Sequence, residues 1–375
     1  MRLTAVVLTG LVLAACAVPP PPPTVAEAPS LEPPTAEPTA QPAAVDPTTP
    51  PLLPTPTPFA PVLSQLTESG CCTEPIWSPD GQQVRFIDQP ADEPVGIYGI
   101  DIDTRNLELV SQQVGVLSPD GRILAYLNED DETTLRDLET DEEWLVPSDG
   151  RGVLFSPDMQ RIAWSISTIS GGFDERQTIV LASDLRGEAA QEIIRVTGGG
   201  LLGWLDGSRM LIYGQEPGEA ERSLFVYHIE GDERTNLVTG QRIRAVSIAP
   251  GGEWVFYAIA LNPDGDTSQE GFWVSSTTGG PQYRLDIVGS AQWRDEHRLL
   301  VIPLELDAPS HRLWQFNAAT GQSSILTDGI DTPFRVMANN WRVAPTGDRI
   351  VFLNAADEAL WLLELGPIGL EEDAQ

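Results

Sequence analysis

The sequence contains no lysine. All 22 basic residues are arginine, set against 55 acidic ones, for a net charge of −33. Such an excess of acid repels phosphate backbones and anionic lipid surfaces, which argues against nucleic acid as a partner. It also makes a solvated, self-repelling surface, which suits a monomer. Cysteine is nearly absent, at positions 16, 71 and 72, and the three histidines are His228, His297 and His311. No Cys/His pair has zinc-site spacing, and no phosphate-cradling glycine loop occurs. No Gly-x-Ser-x-Gly elbow occurs either, which excludes a fused hydrolase of that type. Past the first fifteen residues, no run approaches the roughly 20 apolar residues a membrane span needs. No cofactor and no metal is expected.

The amino-terminal stretch has Arg2, then an apolar run from Ala5 to Ala15, then Cys16. One positive charge, a short apolar core and small residues before a cut describe a secretory signal over residues 1–15. Leu13-Ala14-Ala15-Cys16 resembles the lipobox of bacterial lipoproteins. That resemblance implies cleavage before Cys16, lipidation of its thiol, and a protein anchored to a membrane of the bacterial envelope on its extracytoplasmic side. An ordinary signal peptide with a stray cysteine is the alternative. Residues 16–61 then form a Pro/Thr-rich tether, with Pro19–Pro23 and repeated Pro-Thr pairs up to Pro58. Proline removes donors and keeps the backbone extended, so this disordered segment builds no core. At about 3.1 Å per residue its reach is about 130 Å. It carries only Glu27, Glu32, Glu37 and Asp46, so nearly all of the charge belongs to residues 62–375.

Those residues are organised by one phrase. Trp77-Ser78-Pro79-Asp80-Gly81 returns as Leu117-Ser118-Pro119-Asp120-Gly121 and Phe155-Ser156-Pro157-Asp158. Looser copies are Trp204-Leu205-Asp206-Gly207, Ile248-Ala249-Pro250-Gly251-Gly252, Trp293-Arg294-Asp295-Glu296 and Val343-Ala344-Pro345-Thr346-Gly347. From the Pro, Leu205 or Arg294, successive steps are 40, 38, 48, 45, 44 and 51 residues. Ser, Pro, Asp and Gly in that order suit a type I turn. An apolar run follows each turn, such as Val84–Ile87, Ile123–Leu127 or Leu299–Leu304, and fits a strand buried on both faces. A third strand and a weaker fourth follow. Seven such units at a period near 40–45 residues predict an all-β chain folded as a seven-bladed β-propeller. The alternative is a β-sandwich with coincidental turns. Leu63-Ser64-Gln65-Leu66-Thr67 has the look of a fourth strand that arrives before any blade, so it is expected to pair beside Leu360–Leu365 and close the ring. A last blade completed by its own Ile368–Glu371 is the alternative.

From Leu63 to about Leu365 these repeats resemble the TolB-like, or WD40-like, β-propellers that share the Ser-Pro-Asp-Gly turn. The motif is a turn and not a site, so the resemblance implies a fold and no chemistry. Propellers of this type also precede the catalytic domain of prolyl oligopeptidase-like peptidases, a domain not expected here. TolB itself has an amino-terminal α/β domain where this sequence has the tether.

Candidate functional residues are few. Cys71 and Cys72 are expected to bond each other in an oxidising compartment, with an intermolecular bond or a soft metal as alternatives. Asp264-Gly265-Asp266-Thr267-Ser268 and Glu129-Asp130-Asp131-Glu132 read as solvated loops before they read as cation sites. By repeat position none of the histidines falls on an innermost strand. Trp77, Trp204 and Trp293 share the position before the turn, which argues packing between blades. Two residues earlier stand Pro75, Gly115, Val153, Leu202, Val246, Ala291 and Trp341, expected to face the opposite way, toward the central channel. Trp341 with Arg244, Asn340 and Arg342 is therefore the candidate binding group at one mouth. The function expected is a non-catalytic platform for protein or peptide; a propeller enzyme or solute sensor acting on a sugar or other small molecule at the channel is the alternative.

Overall fold

The computed structural model describes residues 60–168, 172–240, 242–260, 267–305, 308–327 and 329–368. The expected signal, Cys16, the expected tether up to residue 59 and the acidic residues Asp264 and Asp266 lie outside them. Among the described residues the regular structure is β-strand, with short 3-10 turns and no α-helix.

Each turn phrase folds as its chemistry dictates. Ser78 Oγ donates to Asp80 Oδ1 at 2.6 Å and accepts from the Gln83 N–H at 2.9 Å, while the Gly81 N–H returns to Ser78 O at 2.9 Å. Ser118 and Asp120 repeat the arrangement, as do Ser156 and Asp158. The fourth position is left-handed in all three, at φ 69° for Gly81, 70° for Gly121 and 56° for Met159. Glycine takes that conformation freely; Met159 is held there by the same hydrogen bonds.

Five four-stranded antiparallel sheets result. Four run consecutively outward from an innermost strand: Thr73–Trp77 to Leu107–Ser111, Val116–Leu117 to Glu143–Leu145, Ile243–Ile248 to Gln282–Leu285, and Gly289–Trp293 to Gln322–Thr327. The fifth takes Val336–Val343, Arg349–Asn354 and Leu360–Glu364 and adds Val62–Gln65 outermost. Val62 pairs with Glu364 and Gln65 with Trp361, and the Leu66 N–H continues to Leu360 O at 2.8 Å. The first strand thus completes the last sheet, as its orphan position in the repeat predicts. Residues 154–239 form a sixth sheet of seven strands, in which the 14-residue strand Gln191–Trp204 serves both sides. Its register breaks at Gly198, whose φ is 66°.

The core lies between sheets. Val84, Phe86, Tyr98 and Ile100 of the first sheet pack against Val351, Leu353, Leu360 and Leu362 of the closing one. Trp254, Phe256 and Val274 meet Leu299, Val301 and Phe316 across the next interface but one. Within the seven-stranded sheet, Ala163, Val180 and Ala182 pack against Met210, Ile212 and Phe225, so its two halves face each other as separate sheets do. These strands are apolar on both faces because both faces are covered. The arrangement is a β-propeller.

The three pre-turn tryptophans also act as latches. The indole N–H of Trp77 donates to Arg342 O at 3.0 Å, that of Trp204 to Leu154 O at 3.0 Å, and that of Trp293 to Ser247 O at 3.2 Å. Arg342, Leu154 and Ser247 each stand one residue before the pre-turn position of the preceding repeat. Each indole therefore ties one innermost strand to the one before it.

Candidate binding site

The innermost strands alternate, and the alternation corrects one expectation. Side chains two residues apart on a strand share a face. Trp341 therefore lies on the same side as the pre-turn Val343 and not opposite to it. Its ring is fully buried, packed with Ile302, Phe334 and Phe352. Pro75 and Val153 are buried likewise. The residues open to the channel side are those directly before the pre-turn position: Ile76, Val116, Leu154, Ser247, Gln292 and Arg342 are all half-buried or exposed.

A cavity of about 790 Å³ opens among three neighbouring innermost strands, Ile243–Ile248, Gly289–Trp293 and Val336–Val343. It lies at the end where these strands begin, remote from the turn phrases. Trp341 and Arg342 line it, and Arg244 and Asn340 do not, although Ala245 and Asn339 beside them do. Arg244 is exposed, with Nη1 on the Ile243 carbonyl at 2.8 Å. The cavity thus brings together two of the four expected residues.

Backbone irregularity shapes it. Arg244 pairs with Ala258 and Ser247 with Phe256, so two residues oppose one, and Ala245 has φ 50°. In the last innermost strand Val336 pairs with Asn354 and Trp341 with Phe352, so residues 337–340 all oppose Leu353, and Asn339 has φ 73°. Bulges of this kind re-aim side chains near sites. The larger one is fixed from the neighbouring blade. The Trp341 indole N–H donates to Ser290 Oγ at 2.5 Å, and Ser290 donates to Asn339 Oδ1. Gly289 permits the approach, since a Cβ there would collide with Ile302 O.

The rim is apolar. Leu304 is 72% exposed and Val288 52%, tied together by the Leu304 N–H on Val288 O at 2.8 Å. His311 also lines the cavity, from the segment that leads into Leu313–Asn317. Its N–H bonds Phe334 O at 2.8 Å and its ring stands edge-on to Phe334. Burial pushes the imidazole below its ordinary pKa, a hydrogen bond with the Val336 backbone opposes this, and Arg335 adds to the depression. Arg342 has Nη1 on Trp341 O at 2.8 Å. Burial lowers its pKa as well, with the field of Glu74 opposing. No carboxylate lines the cavity among the described residues.

His311, Ser290, Leu304 and Val288 escaped the sequence reading. His311 does lie off the innermost strands, as its repeat position indicates, but its loop folds back to the mouth. His228 lies in Ser223–His228 and His297 at a turn, both away from the cavity. Asp130 and Asp131 fall in an exposed turn capped by Asn128. The sulfurs of Cys71 and Cys72 are bonded to each other in the loop between Val62–Gln65 and Thr73–Trp77, with Thr67 Oγ1 2.8 Å from Cys71 Sγ. Among the described residues no three His, Cys, Asp or Glu side chains group as metal ligands.

No family model and no curated protein matches the sequence. Among solved structures the chain is similar to an oligogalacturonate lyase in complex with manganese, at a TM-score of 0.56 and 16% identity over 82% of this chain and 94% of that one. It is similar to the β-propeller domain of the Trilobed protease from Pyrococcus furiosus, at a TM-score of 0.51 and 12% identity over 82% and 100% of the two chains. TolB from Acinetobacter baumannii aligns at a TM-score of 0.37 and 18% identity, over 55% of this chain and 52% of that one. At such identities the likeness to the first two is one of fold: this chain is similar to β-propellers of enzymes and of protease domains alike.

Proposed function

We propose that this chain is a lipid-anchored, extracytoplasmic protein of the bacterial envelope whose seven-bladed propeller binds a peptide segment of a partner protein and performs no chemistry. The two facing halves of the seven-stranded sheet support the count of seven, since each behaves as a blade. The lipobox-like Leu13-Ala14-Ala15-Cys16 supports the anchor, and the Pro-rich tether the spacing.

The observation that carries the binding reading is the cavity with its exposed Leu304 and Val288. A rigid frame holds apolar side chains at the surface, at a place built from three blades, two of them bulged. Exposed apolar groups beside a pocket mark a place of recognition. The lining offers no nucleophile held by a base and no pair of carboxylates among the described residues. The test is capture of a partner from native membranes by cross-linking, using the whole anchored protein and a Leu304→Asp variant. Leu304 is mostly exposed, so the substitution spares the core. A protein retained by the first and lost from the second supports the reading; equal retention moves the site elsewhere.

The second reading, a small-molecule site, is favoured by the cavity volume, which falls within the roughly 300–1,000 Å³ of such pockets. A ligand-dependent melting shift with no captured partner would favour it.

A further inference from the structure

We infer that the cavity takes an apolar group carried next to a carboxylate, with the carboxylate on the guanidinium of Arg342. The inference rests on reading that cavity as a binding site, and it names the chemistry of the occupant.

Charge carries it. The protein has 55 acidic residues, and several of its arginines pair with one. Arg122, Arg136, Arg186, Arg209 and Arg298 each hold a carboxylate within 3 Å. Arg342 is not paired in this way; half-buried Arg85 is not either, with its Nη1 on the Gly121 carbonyl, but Arg342 is the arginine that lines the cavity. It is half-buried, burial disfavours its charge, and among the described residues no carboxylate lies within ion-pair distance. The nearest field named on it is that of exposed Glu74, on the bulge of the adjacent innermost strand. Arginine cannot shed its proton, so this cation stays charged in a poorly solvated place. A desolvated guanidinium facing a cavity without acids is suited to an anion brought from outside.

The rest of the wall defines the anion. One guanidinium binds one carboxylate through two parallel hydrogen bonds. A phosphate would need more donors, and three of the nearby polar side chains, Trp341, Ser290 and Asn339, bond one another, which leaves Gln292 and Ser247 lining the cavity with the guanidinium. His311 is held toward its neutral form by burial. The field of so acidic a protein repels free anions at long range. An anion therefore gains only when it brings apolar surface for Val288, Leu304 and Val336. Two sources share this chemistry: the carboxyl end of a peptide with an apolar last residue, and a free organic acid with an apolar tail.

The test uses the whole mature protein and three probes in titration calorimetry. These are the peptide Gly-Gly-Gly-Leu-Phe with a free carboxylate, the same peptide as its amide, and 4-phenylbutyrate. The expected result is at least roughly tenfold tighter binding of the acid than of the amide, the scale of one charge-assisted hydrogen bond pair. Arg342→Gln should erase that difference while leaving amide binding in place, and Arg342→Lys should restore part of it. Equal binding of acid and amide overturns the carboxylate and leaves the peptide reading standing. Binding of 4-phenylbutyrate alone keeps the carboxylate and overturns the peptide reading. Binding of none overturns both. The acid–amide comparison on the unaltered protein needs no variant to fold.

Discussion

Replacing Trp204 with Phe should weaken the whole propeller, because it cuts a bond between repeats. The indole N–H of Trp204 reaches Leu154 O at 3.0 Å, and the ring is 6% exposed. Losing one such hydrogen bond costs about 1 kcal/mol net. Losing about 40 Å³ of ring adds about 1 kcal/mol, at about 24 cal/mol for each Å³ left empty. The expected loss is about 2 kcal/mol, or a fall of about 3 °C in Tm for a domain of this size. Trp204→Ala should cost about 3–5 kcal/mol. Trp273 is the control: its N–H bonds Gln269 O, four residues away in the same repeat, at 2.8 Å. Trp273→Phe removes a bond that is exposed to water, which can replace it, so it should cost less than Trp204→Phe. Urea unfolding followed by circular dichroism measures all three. If Trp204→Phe matches the wild type within 0.5 kcal/mol, or if Trp273→Phe costs as much, the indoles do not bind the ring together and the latch argument fails.

Further outcomes can be checked directly. Deleting residues up to Gln65 removes the outermost strand of the closing sheet, so the truncated protein should melt lower and unfold without the cooperativity of the whole; an unchanged melt would show the ring closes without it. Unreduced protein should weigh about two daltons less than reduced protein if Cys71 and Cys72 are bonded in solution, and equal masses would remove that bond. Toward acid, stability should fall in two windows. His311, held neutral by burial, is lower in the folded state, so its contribution is lost as pH drops below the ordinary imidazole value. Asp137, which the Arg122 hydrogen bond lowers to about 2, contributes above the usual carboxylate range and loses this as pH falls toward 2; Arg122→Gln should flatten that second window in a pH series of urea midpoints. Toward alkali, burial pushes Tyr126, Tyr227 and Tyr257 up to about 12, so at about pH 11 ultraviolet difference spectra should show them un-ionised until the protein unfolds.

What the sequence shows and what it hides follow from the range of the forces involved. The turn phrase is legible because Ser78, Asp80 and Gly81 satisfy one another within six residues, and the strands after it are apolar because both faces are covered. The pairing of Val62–Gln65 with Leu360–Glu364 is legible as a count, one strand too many at the start and one too few at the end. The face of Trp341 differs from the one its repeat position suggests, because two residues along a strand return to the same side. The long step of 51 residues before Pro345 did hold a clue, since residues 337–340 form the extra bulge. The cavity was not legible. Ser290, His311 and Arg342 come from different repeats or different strands of a repeat, and only closure of the ring brings them to one mouth.

The pairing of Val62 with Glu364 sets an order of assembly. The two partners are separated by nearly the whole folded chain, so the closing sheet forms only after the last strand has been synthesised. Until then Val84, Phe86, Tyr98 and Ile100 lack the Val351, Leu353, Leu360 and Leu362 that cover them, and an apolar flank of the earliest blade stays bare. Among the described strands, Val62–Gln65 waits longest for its partner. A chain built this way is most vulnerable to aggregation and to proteases before its last strand arrives, and it gains its resistance in a single late step.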